Sequence, residues 1–236
     1  MRRRLEAVAM ENIIVFAPHP DDDIIGCGGS IARQLQQGNK VSIVYLTSGD
    51  AGSLKHIKRR MVQIREEEAR KAAALLGVSE LFFFRNPDGY LEFKRDNLVK
   101  IITLIREKRP IAVYIPHSKD QVRDHRVTHE LVVEACHRAA GPWFQECEGQ
   151  PWSVGNIFGY EVWTPLQDPA YVEDISEFME VKLDALRLHR SQLEEIRYDE
   201  AIMGLNRYRG IMTGEGDYCE CFELLRANIS IKRGAL

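Results

Sequence analysis

The chain has 236 residues, of which 44% are hydrophobic and 28% charged, the ordinary composition of a globular protein with one sizeable core. Its 32 Lys and Arg residues against 35 Asp and Glu give a formal net charge of −3, so electrostatics provides no reason to expect a nucleic acid or an anionic membrane as partner. No apolar stretch approaches the length of a transmembrane span. Five cysteines at irregular spacing predict a reducing compartment, the cytoplasm, rather than a disulfide framework.

The first residues, Met1-Arg-Arg-Arg4, are basic, but no uninterrupted apolar segment follows them as it would in a signal peptide. Met10 stands directly before the first predicted strand. We therefore interpret residues 1–9 as an N-terminal extension and residues 10–236 as one domain, since no repeat, low-complexity tract or linker interrupts them.

Apolar runs then alternate with amphipathic helical stretches, which is typical of βαβ units and predicts an α/β fold with a mostly parallel sheet. The predicted strands are Ile13–Ala17, Val41–Leu46, Leu81–Phe84, Ile111–Ile115 and Ile157–Val162. The predicted helices are Ile24–Gln37, Lys58–Leu76 (stopped by Gly77), Asn97–Glu107, Val127–Arg138 and a region around Ile175–Glu195. Gly141–Gly155 is predicted to be a long loop, and a final element is expected around Tyr218–Leu225.

A dense polar group, His19-Pro-Asp21-Asp22-Asp23, directly follows the first predicted strand. Three adjacent carboxylates repel one another, and a divalent cation is the usual compensation. His19 and Asp22, three residues apart in a turn, can point to one metal while Asp21 points elsewhere. The alternative is an acidic loop that caps the next helix. The glycines that follow are expected to let the backbone turn tightly into that helix: Gly26, Gly28 and Gly29.

A second polar group follows the fourth predicted strand, between Pro116 and His129. Ligands of an open α/β sheet bind outside the carboxyl ends of its strands, so the two groups can converge on one cation. His125 would complete a His/Asp/His set with open positions for water and substrate, which is the catalytic arrangement of zinc. The same ligands also fit Fe²⁺ or Co²⁺. For His117 and His129, a surface or helix-capping role stays open. Cys219-x-Cys221 has no second pair or nearby His and is interpreted as structural.

The ordered set of motifs resembles the PIG-L/LmbE-like deacetylase family. Its AHPDDE hallmark appears here as Ala17-Pro-His-Pro-Asp-Asp-Asp23, with Pro18 as an extra residue and Asp23 in place of Glu. The similarity extends from about Asn12 to Leu225. Further segments that match the family pattern are Ile24–Gly29, Thr47–Asp50, Arg65–Glu68, Asn86–Leu91, Lys182–Gln192 and Arg207–Phe222.

The resemblance implies a three-layer αβα, Rossmann-like fold and a metal-dependent removal of an acetyl group from an N-acetylated amino sugar or sugar conjugate. It implies that His19, Asp22 and His125 bind the metal, Zn²⁺ or another divalent ion such as Fe²⁺. It implies that Asp21 is the general base, and that Arg65 and Asp88 contact the small-molecule substrate. Family members often assemble into trimers or hexamers, so a homo-oligomer is implied as well. Loop tryptophans that could stack on a sugar, or simply pack, are Trp143, Trp152 and Trp163.

The sequence departs from the family at Val122, where the usual element D-x-H-x-D-H has a His that helps to stabilise the oxyanion. Loss of one such donor typically lowers turnover by about 100- to 1000-fold. His129, one helical turn beyond His125, is our first choice for a replacement; His117 and Arg123 are others. A second hypothesis is therefore a catalytically weak member that binds metal and a sugar-like ligand. A third, a nucleotide-binding protein, is disfavoured because Gly26-x-Gly28-Gly29 departs from GxGxxG.

Overall fold

The computed structural model describes residues 10–52, 55–194 and 196–228, and the predicted extension at residues 1–9 lies outside them. One seven-stranded sheet has the strand order β3-β2-β1-β4-β5-β7-β6. The strands are β1 Asn12–Ala17, β2 Lys40–Thr47, β3 Glu80–Asn86, β4 Ala112–Pro116, β5 Asn156–Tyr160, β6 Tyr171–Asp174 and β7 Cys219–Arg226. The helices are α1 Asp22–Gln36, α2 Lys58–Leu76, α3 Arg95–Lys108, α4 Arg123–Ala139, α5 Met179–Leu186, α6 Arg190–Leu193 and α7 Tyr198–Thr213.

The sheet is parallel from β3 to β5, and β7 pairs antiparallel with both β5 and β6. The chain runs outward from β1 through β2 to β3 and then crosses back to place β4 on the other side of β1. The carboxyl ends of β1 and β4 are therefore neighbours at a topological switch point, where open α/β sheets bind their ligands.

Helices cover both faces of the sheet, which confirms the three-layer αβα prediction. Along β1, Ile13 and Val15 pack into one core cluster while Ile14 and Phe16 pack into the other. This alternation follows from the two-residue period of a strand. The first cluster also contains residues of α1, α2, α5 and α7, and the second contains residues of α3 and α4.

Helix α1 begins at Asp22 rather than at Ile24, so Gly26, Gly28 and Gly29 lie inside the helix and not in a turn before it. Their role is close packing. A Cβ at Gly26 would lie 2.1 Å from the ring of Tyr160. The expectation of a tight glycine turn was therefore wrong, and no glycine-rich phosphate loop follows β1 in the described chain.

A buried polar network holds α1 where its backbone breaks. Cys27 has non-helical angles, φ −147 and ψ 26. The freed backbone N–H groups of Gly29 and Ser30 each donate to the Glu220 carboxylate of β7 at 2.8 Å. Lys182 of α5, which is fully buried, donates to the same carboxylate at 2.7 Å. These bonds tie the break in α1 to β7 and α5.

Three elements differ from the predicted ones. Helix α4 begins at Arg123 rather than Val127, which places Asp124 and His125 in its first turn. Strand β6 is only four residues long and carries the charged Glu173 and Asp174, so it lacks a strong apolar pattern. Helix α7 was missed because two internal glycines lower its helical propensity, and its large apolar residues are partly exposed: Met203, Tyr208, Ile211 and Met212.

Candidate active site

The turn after β1 and the first turn of α4 bring three predicted ligands together. His19 Nδ1 lies 3.0 Å from Asp22 Oδ2, and His125 Nε2 lies 3.3 Å from the same oxygen. One ligand atom from each residue falls within 4.8 Å of the other two. A second group has ligand atoms that also lie within 4.8 Å of one another, and it consists of His19, Asp88 and Asp124.

The His125 ring is fully buried, and neither of its nitrogens has a hydrogen-bond partner in the described chain. Carboxylate oxygens of Asp22 and Asp120 lie 3.3 and 3.4 Å from the two nitrogens, but without hydrogen-bond alignment. A buried polar atom without a partner is costly, so such atoms usually face a ligand or ordered water. The donor set of two imidazoles and one carboxylate therefore fits a divalent cation.

Carboxylates crowd around His19 on several sides. Its Nε2 lies 2.9 Å from Asp88 Oδ1 and 3.5 Å from Asp124 Oδ2, in addition to the Asp22 contact. Burial lowers the pKa of His19, but hydrogen bonds to these three carboxylates outweigh burial and raise the pKa well above its ordinary value. The cluster therefore favours positive charge at this position, whether a proton or a metal ion.

Asp21 lies beside the predicted ligands in a strained conformation, with φ 124 and ψ −29. Positive φ is unusual for a residue other than glycine, and such outliers are common at functional sites. Arg65 Nη2 donates to Asp21 Oδ1 at 2.9 Å. Burial raises the pKa of Asp21 to about 7 against the opposing charge of Arg65. The Arg65 guanidinium packs so closely against Gly49 that a larger residue there would collide with it, since a Cβ at Gly49 would lie 2.1 Å from Arg65 Nη1.

Asp124 holds the turn that carries Asp88. Its two carboxylate oxygens accept the backbone N–H groups of Gly89 at 2.7 Å and Leu91 at 3.2 Å. Burial would raise the pKa of Asp88, but its hydrogen bond with His19 and that from the Ala51 N–H lower this pKa to about 2. Asp124 thus has partners here although Val122 provides no imidazole for it to orient.

A cavity of about 340 Å³ opens onto this cluster. Its walls include the predicted base Asp21, the predicted ligands His19 and Asp22, and the predicted substrate contacts Arg65 and Asp88. Val122 lines it too, so the departure from the family pattern faces the cavity. The other lining residues are Gly89, Arg123, Asp124, Trp163, Gln192 and Tyr198.

His129 is not among the residues that line this cavity, although it lies one turn beyond His125 as expected. Its Nδ1 donates to the Pro116 carbonyl oxygen at 2.9 Å. His117 bonds to Thr164, with Nε2 2.7 Å from the carbonyl oxygen. The role predicted for His129 stays a prediction.

Of the three loop tryptophans, one lines the active-site cavity and two lie elsewhere. Trp163 lines the cavity, whereas Trp143 and Trp152 do not; the indole N–H of Trp152 donates to the Pro110 carbonyl at 2.8 Å. Cys219 and Cys221 are buried in β7, and neither belongs to a group able to hold a metal among the described residues.

Sequence reasoning assigned no site role to Gln192 or Tyr198, which also line the cavity. Gln192 ends the Lys182–Gln192 motif, so the family resemblance contained a signal for it. Tyr198 begins a helix that was not predicted, and no local pattern indicated its position.

Known proteins share this fold and these motifs. The PIG-L family profile, described as GlcNAc-PI de-N-acetylase, matches residues 14–136, more than half of the chain. Diacetylchitobiose deacetylase of Thermococcus kodakarensis is 32% identical over 195 residues, which cover 79% of this chain and 72% of that protein. A conserved protein of Thermus thermophilus superposes with a TM-score of 0.83 at 31% identity, over 96% of this chain and 100% of that one. The N,N′-diacetylchitobiose deacetylase of Pyrococcus horikoshii, solved with an inhibitor, superposes with a TM-score of 0.82 at 27% identity, over 92% of this chain and 84% of that one.

This chain belongs to the PIG-L family, as the motifs predicted. It is an N-deacetylase, a hydrolase of linear amide C–N bonds. Among the described residues, no helix is both long enough and apolar enough to cross a membrane.

Proposed function

We propose that the chain is a divalent-metal-dependent hydrolase that removes the acetyl group of an N-acetylated amino sugar or sugar conjugate. The observation that carries the proposal is the buried His125 ring, whose nitrogens lack hydrogen-bond partners beside Asp22 and His19. The sugar part of the proposal is supported by the two diacetylchitobiose deacetylases among its relatives.

Zn²⁺ is the metal we propose, held by His19, Asp22 and His125, because this donor set leaves positions open for water and substrate. Fe²⁺ is the main alternative, since imidazole and carboxylate ligands suit it as well. When bound, such a cation lowers the pKa of a water molecule and polarises the amide carbonyl.

Asp21 is the proposed general base. It would accept the proton of the attacking water and later deliver it to the leaving amine. The Arg65 guanidinium, bonded to Asp21 Oδ1 and to the Pro20 carbonyl at 2.5 Å, keeps the carboxylate directed into the cavity. Arg65 and Asp88 are the proposed partners of the substrate's polar groups, supported by their place in the cavity wall.

The metal assignment predicts the effect of His125→Ala. We expect purified parent protein to contain about one divalent ion per chain, and the variant to lose most of it, because one of three protein ligands is removed. Elemental analysis by mass spectrometry measures this directly. The control is His137→Ala, an exposed histidine of the same helix. Equal metal content in both variants would contradict the assignment.

The proposed chemistry also needs a hydrogen-bond donor to the oxyanion besides the metal. We retain His129 as our first choice, acting through a bridging water, since its ring does not line the cavity. Gln192 and Tyr198 line the cavity and are its competitors. Val122 has no side-chain donor.

Val122→His is expected to raise turnover by about tenfold or more, since it adds a donor to the cavity wall beside Asp124. Steady-state kinetics of amine release from N-acetylglucosamine derivatives measure the change. In parallel, His129→Ala should lower turnover while metal content stays constant. Unchanged turnover in His129→Ala, together with a loss in Gln192→Ala, would transfer the role to Gln192.

The alternative of a binding protein without turnover gains no support, since the diacetylchitobiose relatives described above are both deacetylases. A cytoplasmic location remains our proposal, supported by five free and buried cysteines. Assembly into a trimer or hexamer rests on the family resemblance alone.

A further inference from the structure

A second cavity, of about 240 Å³, adjoins the candidate active site and shares Trp163 and Tyr198 with it as walls. We call it the apolar cavity, because none of its lining side chains is charged. The walls that belong to it alone are Ile25, Val162, Pro165, Ala201, Ile202 and Leu205. The active-site cavity, in contrast, is lined by several carboxylates and two guanidinium groups. Two neighbouring compartments therefore differ sharply in polarity.

The loop that carries Trp163 is fixed by hydrogen bonds from within the site. Asp120 Oδ2 accepts the backbone N–H groups of Trp163 at 3.0 Å and Thr164 at 3.2 Å. The other oxygen of the same carboxylate lies 3.4 Å from His125 Nδ1. Farther along, Glu161 Oε1 accepts the Leu166 N–H at 2.6 Å. Asp120 thus links the backbone of the shared wall to His125, one of the proposed metal ligands.

The two shared aromatic residues meet edge to face. The ring centroids of Trp163 and Tyr198 are 5.2 Å apart at an interplanar angle of 77°. Trp163 keeps 38% of its surface exposed although the backbone beneath it is held by hydrogen bonds. Covering this exposed ring surface with a bound apolar group would be favourable.

We propose that the apolar cavity binds an apolar substituent of the substrate, so that the preferred substrate is an N-acylated amino sugar bearing an alkyl or aryl group. This inference rests on the proposed function. An apolar cavity of about 150 Å³ is enough to bind benzene in a protein, so 240 Å³ accommodates a phenyl or hexyl group. The substituent can be attached at the anomeric oxygen or be an acyl chain longer than acetyl, and both present the same chemistry to these walls.

Two substrate series distinguish the points of attachment. One consists of β-glycosides of N-acetylglucosamine from methyl to hexyl, and the other of N-acyl glucosamines from acetyl to hexanoyl. We expect kcat/KM for amine release to rise about fourfold per methylene in one series, the value for burial of a CH₂ group. The series that rises identifies the attachment. Independence of chain length in both series would overturn the proposal.

A variant that fills the cavity provides the structural test. Ala201→Trp places a large ring against the apolar walls from the exposed side of α7, and we expect it to abolish the chain-length dependence. The matched control is Met203→Trp, which adds the same ring on the same helix outside the cavity, and it should keep the dependence. Thermal unfolding of both variants verifies that they are folded. Retention of the dependence in Ala201→Trp would overturn the proposal.

Binding measurements separate failure of this inference from failure of the proposed function. In the Asp21→Asn variant, titration calorimetry compares hexyl with methyl β-D-glucopyranoside, and N-hexanoyl- with N-acetylglucosamine. We expect the longer member of one pair to bind at least tenfold more tightly. This result would support the apolar cavity even if the parent protein released no amine, in which case only the proposed function would fail. Equal affinities within both pairs would overturn the inference itself.

Discussion

Asp21→Asn is expected to lower turnover by about 100- to 10,000-fold, the usual contribution of a general base, while metal content stays unchanged. Asparagine matches the shape of the carboxylate, and its carbonyl oxygen can still accept the bond that Arg65 donates at 2.9 Å. It cannot accept a proton from water at neutral pH. The variant therefore removes proton transfer and preserves the packing around the site.

The measurement is amine release under saturating substrate, paired with elemental analysis of the same preparation. Asp168→Asn, a change of the same type at an exposed position, is the control and should behave like the parent. If Asp21→Asn kept near-normal turnover with full metal content, another residue would be the base. If it lost the metal, Asp21 would belong to the ligand set.

Lys182→Met is expected to destabilise the fold by about 3–5 kcal/mol, the usual cost of removing one partner of a buried ion pair. Its ammonium group bonds to Glu220 at 2.7 Å and to the Asn206 side-chain oxygen at 2.9 Å, and both residues of the pair are almost fully buried. Methionine has a similar length and fills the space. The Glu220 carboxylate would keep its bonds from Gly29 and Ser30 but lose its counter-charge.

Urea denaturation measures the free energy of unfolding of this variant. Lys71→Met serves as the control, because Lys71 forms an exposed pair with Glu67 on α2, and such surface pairs contribute about 0–1 kcal/mol. A loss for Lys182→Met no larger than that of Lys71→Met would show that the buried pair contributes little to stability.

The sequence predicted the parts of the fold that follow from strong local patterns. Helix α2 matches its predicted range because of its charged amphipathic pattern and the stop at Gly77. The approach of His19 and Asp22 to His125 followed from the rule that parallel strands bring their carboxyl ends to one edge. These predictions needed only local periodicity and one topological rule.

The positions of other cavity residues depend on tertiary contacts, which no local sequence pattern contains. Tyr198 reaches the active site only because α7 packs against the sheet, and the apolar residues of α7 gave no clear periodicity. Trp163 and Trp152 were equivalent as loop tryptophans in the sequence. The structure separates them, because Asp120 holds the backbone of Trp163 beside the site while Trp152 bonds to Pro110.

Glu220, whose carboxylate accepts the backbone N–H groups of Gly29 and Ser30 in α1, is synthesised long after the helix itself. Glu220 lies 191 residues beyond Gly29, whose N–H it accepts. At typical elongation rates of about 5–20 residues per second, that separation corresponds to roughly 10–40 s on the ribosome. During that time the helix that follows the proposed ligand His19 and contains the proposed ligand Asp22 lacks this hydrogen-bond partner. The nascent chain thus carries all three proposed ligands before it contains the carboxylate that accepts the Gly29 and Ser30 N–H groups.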